Sequence, residues 1–459
     1  MSQNSKVKVG IISLGCPRNL VDSEILLGIL KENRFEISDV KDADIGIVNT
    51  CAFIDEAKKE SIDMILELIE LKKASKLSAV VVAGCLPQRY GGALLKELPE
   101  VDAFIGCDQI EKIADILRRI NKENKLFEVS KTPSFIYSHI HPRLRITPPH
   151  YVYVKISEGC VNRCSFCVIP SIKGGYRSRP IESILKEVDQ ISEKEKLSEI
   201  NLIGQDTTLY GKDLYGRPLI KELLKELASF KDYRRWIRLL YTYPSHIDDE
   251  LIDIVSQEDS ICKYIDLPIQ HINEKLLKKM NRKMNRKDIT HLIRKIRERI
   301  PDIVLRSSVI VGFPGETDKD FKELVEFIKE VKFERLGVFT YSREEGTTAY
   351  NYRNQIEEEV KLERFKALMS VQKEIAKDIN KSCLGKTMEV LIDEKDENSK
   401  DIYIGRTEGD APEVDGEVFV KAGDCPQAGT VPKKLKPGDF VDVKITDTLE
   451  YDLVGEEVK

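Results

Sequence analysis

The sequence predicts an α/β protein in three parts. An N-terminal open parallel sheet carries helices on both faces, a central partial (βα)6 barrel follows, and a small antiparallel β-barrel ends the chain. Three observations lead there. The chain has 459 residues, and at roughly 150 residues per domain that is material for about three cores. Short continuous apolar runs alternate with helix-period stretches twice over, first across residues 1–130 and again across 150–382, the pattern of parallel strands buried on both faces. Beyond residue 383 the apolar period shortens to two, turn residues crowd in and convincing helix disappears, as a small β-barrel requires.

In order, residues 7–13, 45–49, 79–83 and 103–106 read as buried strands, and 19–33, 55–73 and 109–121 as amphipathic helices between them. Residues 131–149 hold Pro133, Pro142, Pro148 and Pro149 with no period and read as a linker. Strands are expected at 151–157, 199–204, 236–241, 264–268, 304–311 and 336–341, each followed by a helical pattern. Six βα units fit a partial or full parallel barrel better than a second doubly wound sheet. A long amphipathic helix over 357–381 closes this part. In the last part, 388–392 and 440–445 alternate, and Lys436-Pro437-Gly438-Asp439 is a turn.

Composition excludes several classes. Lys plus Arg is 73 and Asp plus Glu 78, a net charge of −5, which argues against coating nucleic acid through global charge. The 41% of hydrophobic residues excludes wholesale disorder. No apolar run approaches the ~18 residues of a membrane span. Lys6 and Lys8 precede a short apolar stretch that Ser13 breaks, too little for a signal peptide. The 10 cysteines are too sparse for a disulfide scaffold and read as buried residues plus ligands in a cytoplasmic protein. Charge is uneven: residues 1–145 hold 21 basic and 21 acidic side chains, 146–384 hold 42 and 38, and 385–459 hold 10 and 19, a net −9.

Cys160-x3-Cys164-x2-Cys167 lies on one loop directly after a strand. Three thiolates so spaced can hold three corners of an iron–sulfur cubane and leave one iron open. A zinc site wants two separated pairs or a nearby fourth ligand, and no fourth is obvious; structural zinc or a chance cluster is the alternative. Cys16, Cys51 and Cys85 each stand just beyond the carboxyl end of a strand. Groups there gather in one crevice of an open parallel sheet, so these three could ligate a second cluster; from spacing alone, three small buried cysteines remain the other reading. Cys107 also follows a strand. Gly312 and Gly315 let the backbone approach a ligand closely, while Thr317 and Asp320 read as a capping box. His271, alone, reads as a packed or surface histidine.

The C-x3-C-x2-C spacing, with Phe166 before the last cysteine, resembles the radical S-adenosylmethionine (SAM) superfamily. Gly15-Cys16-Pro-Arg-Asn-Leu-Val-Asp-Ser-Glu24, Asn49-Thr-Cys51-Ala-Phe-Ile-Asp-Glu-Ala-Lys58 and Gly84-Cys85-Leu-Pro-Gln-Arg-Tyr90 resemble the N-terminal domain of the methylthiotransferases. These are two-cluster radical SAM enzymes with a C-terminal TRAM barrel, which is OB-like. The similarity covers essentially the whole chain in the family's domain order. It implies a methylthiotransferase domain at 1–130, a linker at 131–149, a radical SAM barrel at 150–382 and a TRAM barrel at 383–459. It implies two 4Fe-4S clusters, one on Cys16, Cys51 and Cys85 and one on Cys160, Cys164 and Cys167. A first SAM would methylate a cluster-borne sulfur, and a second would yield the deoxyadenosyl radical. It implies SAM contacts among Phe166, Gly204, Gln205, Gln270, Arg306, Ser308, Gly312 and Gly315, and a reduced flavodoxin- or ferredoxin-like electron donor. No histidine base is needed. Cys107 matches no family ligand, and Cys262, Cys383 and Cys425 read as bystanders.

Two branches of the family compete for the substrate. One methylthiolates isopentenyladenosine in tRNA; the other modifies the β-carbon of an aspartate in small-subunit ribosomal protein twelve. Gly405-Arg-Thr-Glu-Gly-Asp-Ala-Pro-Glu-Val-Asp415-Gly, Cys16-Pro-Arg-Asn-Leu and Lys173-Gly-Gly-Tyr-Arg-Ser-Arg-Pro180 resemble the ribosomal-protein branch. A C-terminal part of net −9 agrees, since it would repel phosphates and attract a basic ribosomal protein. Against it, residues 275–299 hold 11 basic side chains, read as a solvated helix face or, alternatively, an RNA-docking surface. A non-enzymatic iron–sulfur scaffold is the remote alternative.

Overall fold

Six short parallel strands open the structure: β1 (Lys8–Ser13), β2 (Glu36–Ile37), β3 (Ile45–Thr50), β4 (Ala79–Gly84), β5 (Ala103–Ile105) and β6 (Leu126–Glu128), paired in the order β2-β1-β3-β4-β5-β6. The computed structural model describes residues 6–458 except 121, 124, 231–234, 400 and 424–433. Central β3 and β4 are buried along their whole length, as their unbroken apolar runs demand. Separate apolar clusters pack around the sheet, one with helix Pro17–Glu32 and one with Asp55–Lys73. The registers Ser13↔Asn49 and Asn49↔Ala83 bring the carboxyl ends of β1, β3 and β4 level. The edge strands β2 and β6 are too short to show a period. The helix expected over 109–121 is a 3-10 turn, Ile110–Lys112, followed by a short helix, Ile113–Arg119.

Residues 131–149 contain no helix or strand, yet they are packed. Tyr137 is 1% exposed, and its hydroxyl donates to Glu187. Arg143 lies between Glu24 of the first part and Glu187 of the second, at 2.5 and 2.7 Å. The segment is a strap rather than a free linker.

The central strands are β7 (Tyr151–Lys155), then the small hairpin β8 (Ser157–Glu158) and β9 (Arg177–Ser178), then β10 (Glu199–Ile203), β11 (Trp236–Leu239), β12 (Tyr264–Asp266), β13 (Val304–Val311) and β14 (Arg335–Thr340). They pair in parallel as β11-β10-β7 and β12-β13-β14, joined by the single bridge Ile237↔Ile261. Among the described residues nothing pairs with the outer edges of β7 and β14, so the six βα units make a partial barrel. Their outward side chains and the surrounding helices share one continuous core. Helix Glu358–Lys381 packs across β14.

The last five strands, β15 (Thr387–Lys395), β16 (Ile402–Arg406), β17 (Val418–Lys421), β18 (Phe440–Thr448) and β19 (Leu453–Glu457), close into a barrel in the order β15-β16-β17-β19-β18. One pairing, β17 with β19, is parallel, so the barrel is mixed rather than purely antiparallel.

Residues 407–416, between β16 and β17, bind where the central strands begin. The Arg335 guanidinium donates to Asp410 at 2.9 Å, the Tyr264 hydroxyl to Asp415 at 2.7 Å, the Tyr151 hydroxyl to Glu413 at 2.9 Å, and Arg238 to the Glu408 carbonyl at 2.6 Å. Arg406 reaches Glu199 and Asp393, and Asp439 meets Lys196. The C-terminal barrel therefore caps the end of the central barrel opposite its loops, and at least five acidic side chains behind the −9 are engaged internally. The basic run 275–299 behaves as a charged helix face: Arg286, Lys295, Arg297 and Arg299 pair with Glu323, Asp249, Glu334 and Asp253.

Candidate active site at the barrel mouth

Cys16, Cys51 and Cys85 follow β1, β3 and β4, where the sheet ends level. Gly15 has φ +87°, and a side chain there would meet the Cys51 Cβ at 2.6 Å; Gly84 has φ +93°, and a side chain there would meet the Asn49 carboxamide oxygen at 2.3 Å. Only glycine fits these close approaches. Asn19 ties the three loops together. Its amide donates to the Leu14 carbonyl at 3.0 Å and the Thr50 carbonyl at 2.8 Å, and its oxygen lies 3.8 Å from the Cys85 sulfur. Burial pushes the Cys16 thiol up, but the Arg18 guanidinium, with its Nε 3.5 Å from the sulfur, more than reverses this and leaves it below the ordinary thiol range. Burial raises the Cys51 thiol. A hydrogen bond shared with Cys107, together with burial, pushes the Cys85 thiol well up. Cys107 thus stands beside Cys85, a neighbour the sequence did not assign to this group.

Cys160, Cys164 and Cys167 lie on the loop between β8 and helix Ile169–Lys173. Burial pushes Cys160 up to about 11, with Asp206 and Cys164 adding to it. Burial pushes Cys167 up to about 12, helped by Cys164 and Cys160. Arg282 Nη1 lies 3.8 Å from the Cys164 sulfur, its guanidinium 4.1 Å above the Tyr243 ring. Each triplet thus has one guanidinium against one sulfur. Among the described residues, no three His, Cys, Asp or Glu side chains gather as they would around a single metal ion. The thiols of each triplet are close enough to alter one another's protonation. All-thiol donor sets, in which burial raises Cys51, Cys85, Cys160 and Cys167 and a cationic cluster would favour the thiolates, fit iron–sulfur clusters.

Gly204, at the end of β10, accepts 2.8 Å from Arg18 Nη1. Gln205 donates to Glu158, and its own oxygen is buried without a partner. Gln270, in a left-handed conformation at φ +69°, exchanges backbone hydrogen bonds with Ser308 and Ile310 of β13. Phe166 packs beside Phe313 and Tyr341. The other expected contacts have protein neighbours of their own. Arg306 reaches Asp266 and Asp415. A side chain at Gly312 would meet Lys361 and one at Gly315 the end of Lys279. Thr317 and Asp320 form the expected capping box. His271 is fully buried, 3.6 Å from Glu316. Cys262 is buried and Cys383 half-buried; Cys425 lies outside the described residues.

Two sets of charges hold the sheet domain over the mouth. Asp22 binds Lys155 and Lys173, and these two also reach Glu158. Glu344, after β14, binds Lys58 at 3.0 Å and Arg89 at 2.7 Å. Sequence reasoning missed Arg18, Asn19, Lys173, Arg282 and Glu344. The first three lie inside stretches quoted for the family resemblance; Arg282 was hidden in the basic run, and nothing local marks Glu344.

Comparison with known proteins follows this division. Residues 154–328 match the radical SAM superfamily, 8–106 the uncharacterized protein family UPF0004, and 384–458 the TRAM domain. The chain is 46% identical over 459 residues, 100% of both chains, to the ribosomal protein uS12 methylthiotransferase RimO of Geotalea uraniireducens. It is 47% identical over 453 residues to that of Pelotomaculum thermopropionicum, covering 98% of this chain and 99% of the relative. It is 46% identical over 451 residues to that of Clostridioides difficile, covering 98% of each. Among solved structures, the radical SAM methyltransferase TsrM of Kitasatospora setae superposes with TM-score 0.53 at 16% identity, covering 73% of each chain. The cobalamin-dependent radical SAM enzyme OxsB gives 0.51 at 14% identity, covering 81% of this chain and 56% of that one. At these identities the likeness is one of fold.

Proposed function

The chain belongs to the family of ribosomal protein uS12 methylthiotransferases, and on that premise we propose that it transfers a methylthio group to the β-carbon of an aspartate in uS12. The observation that carries this reading is the meeting of two thiol triplets at one mouth, with Arg18 spanning from Cys16 to Gly204 of the barrel. Cys16, Cys51 and Cys85 would hold one 4Fe-4S cluster, and Cys160, Cys164 and Cys167 the other. When bound, the clusters and SAM supply a transferable methylthio group and a radical able to remove hydrogen from an unactivated carbon.

The chain's own residues bind, orient and exclude water. Gln205, Gln270 and Ser308, with Phe166 and Gly204 beside them, are the assigned SAM neighbours. Asp22 and Glu344 hold the sheet domain across the mouth, so the two triplets face one substrate. The electron donor is a reduced flavodoxin- or ferredoxin-like protein, the setting cytoplasmic, and the substrate the basic ribosomal protein, free or on the small subunit. Exposed Glu394, Glu397, Asp401, Asp442 and Asp447 on the C-terminal barrel support a basic partner.

The test is the intact mass of uS12 from cells with and without this gene. A gain equal to one methylthio group replacing hydrogen is expected only with the gene, and Cys164→Ala abolishes it. An unchanged mass, with a methylthiolated adenosine lost from tRNA, assigns the chain to the tRNA-modifying reaction.

A further inference from the structure

Building on the reading of this chain as an aspartate-modifying enzyme, we propose that Arg18 binds the carboxylate of the target aspartate and so fixes its β-carbon between the two thiol triplets. The guanidinium is clamped on three sides. Nε faces the Cys16 sulfur at 3.5 Å, Nη1 donates to the Gly204 carbonyl at 2.8 Å, and the plane lies 4.5 Å from the centre of the Tyr241 ring. Among the described residues, neither Nη2 nor the backbone N–H of Arg18 has an acceptor. These donors sit at the start of helix Pro17–Glu32, where Cys16 supplies no side-chain cap and the helix dipole adds positive potential.

Among the described residues, the two guanidiniums set against the triplets, Arg18 and Arg282, both lack a carboxylate, and Arg282 gives its Nη2 to the Pro268 carbonyl. Arg143, Arg179, Arg335 and Arg406 each hold a carboxylate; Arg18 has none within 4.0 Å among the described residues. The carboxylates nearby are already taken. Asp22 and Glu158 are held by Lys155 and Lys173. Asp206 accepts from Asn162 and Thr208 and meets His246, and Asp266 accepts from the Tyr241 backbone and faces Arg306. A pre-oriented guanidinium with a free edge is the side chain best suited to a planar carboxylate. An aspartate held there has its β-carbon one bond from the bound group, with Cys16 on one side and the barrel loops on the other.

A purely structural role, holding Cys16 and the domain junction, makes a different prediction. The experiment measures binding of purified uS12, and of uS12 with the target aspartate changed to asparagine, to the cluster-reconstituted enzyme carrying Arg18, Arg18→Lys or Arg18→Gln; iron per chain reports cluster loading. With Arg18, the aspartate form should bind about 10- to 100-fold tighter than the asparagine form, the worth of one charge-assisted hydrogen-bond pair. Arg18→Gln should bring that ratio near one, and Arg18→Lys, a point charge without the fork, should keep part of it. If Arg18→Gln fails to load iron, the lysine variant carries the comparison. A ratio that survives both substitutions, with both forms weakened equally, makes Arg18 structural and overturns the proposal. An Arg18 enzyme that neither binds nor modifies uS12 overturns the functional reading itself, and this assignment with it.

Discussion

Single residues at the mouth act by tying loops together rather than by chemistry of their own. Asn19 is the clearest case: one carboxamide satisfies carbonyls after β1 and after β3 and touches the sulfur after β4. Asn19→Ala leaves those carbonyls unpaired in a buried setting, a cost of about 1–3 kcal/mol. It should lower the melting temperature by several degrees and lower iron per chain by about half after reconstitution, since only the loops bearing Cys16, Cys51 and Cys85 lose their anchor. Unchanged iron would show that the three loops hold their places without it. The thiols were legible because spacing and strand ends are written locally. Asn19 was not, because its value depends on three segments far apart in sequence meeting around one side chain.

Elements divide the same way. The strands buried on both faces and the Thr317–Asp320 helix start were legible because their patterns are short-range. The strap at 131–149 has no period, and its irregular backbone disguised a buried ionic junction. Arg143 is 7% exposed there, between Glu24 and Glu187, which are as deeply buried, and it also donates to the Tyr153 carbonyl. Removing one partner of a buried pair strands the other charges, so Arg143→Met should cost about 3–5 kcal/mol. The drop should appear as a lower urea midpoint, and proteolysis should then open the strap first. A midpoint equal to that of the unaltered chain would mean that Arg179, which also binds Glu187, carries the junction alone.

At the scale of the whole molecule, charge joins the parts. The −9 of the C-terminal segment was legible; its use was not, because Asp410, Glu413 and Asp415 find their partners across the central barrel. These junctions set a pH dependence. Glu187 and Glu199 are buried and Asp393 half-buried, yet arginine partners at the first two, and His150 and Arg406 at Asp393, hold them below the usual carboxylate range. A carboxylate depressed in the folded state contributes stability that is fully present above its unfolded pKa, ordinarily near 4, and is lost as pH falls through its folded value. Asp266 and Glu417, both raised by burial, work in the opposite sense against these three. Acid should therefore undock the C-terminal barrel, and the chain carries its own reporter. Its single tryptophan, Trp236, sits at the start of β11 with its ring 5.0 Å from that of Phe440 in β18. Its emission should stay constant from neutral pH to about 5 and shift to the red below about 4. Arg406 holds both Glu199 and Asp393, so in Arg406→Met only Arg238 at Glu199 and His150 at Asp393 would still oppose burial; both carboxylates should rise, and the red shift should move to higher pH. A transition that keeps its midpoint in that variant would mean that the Arg406 junction does not govern acid undocking.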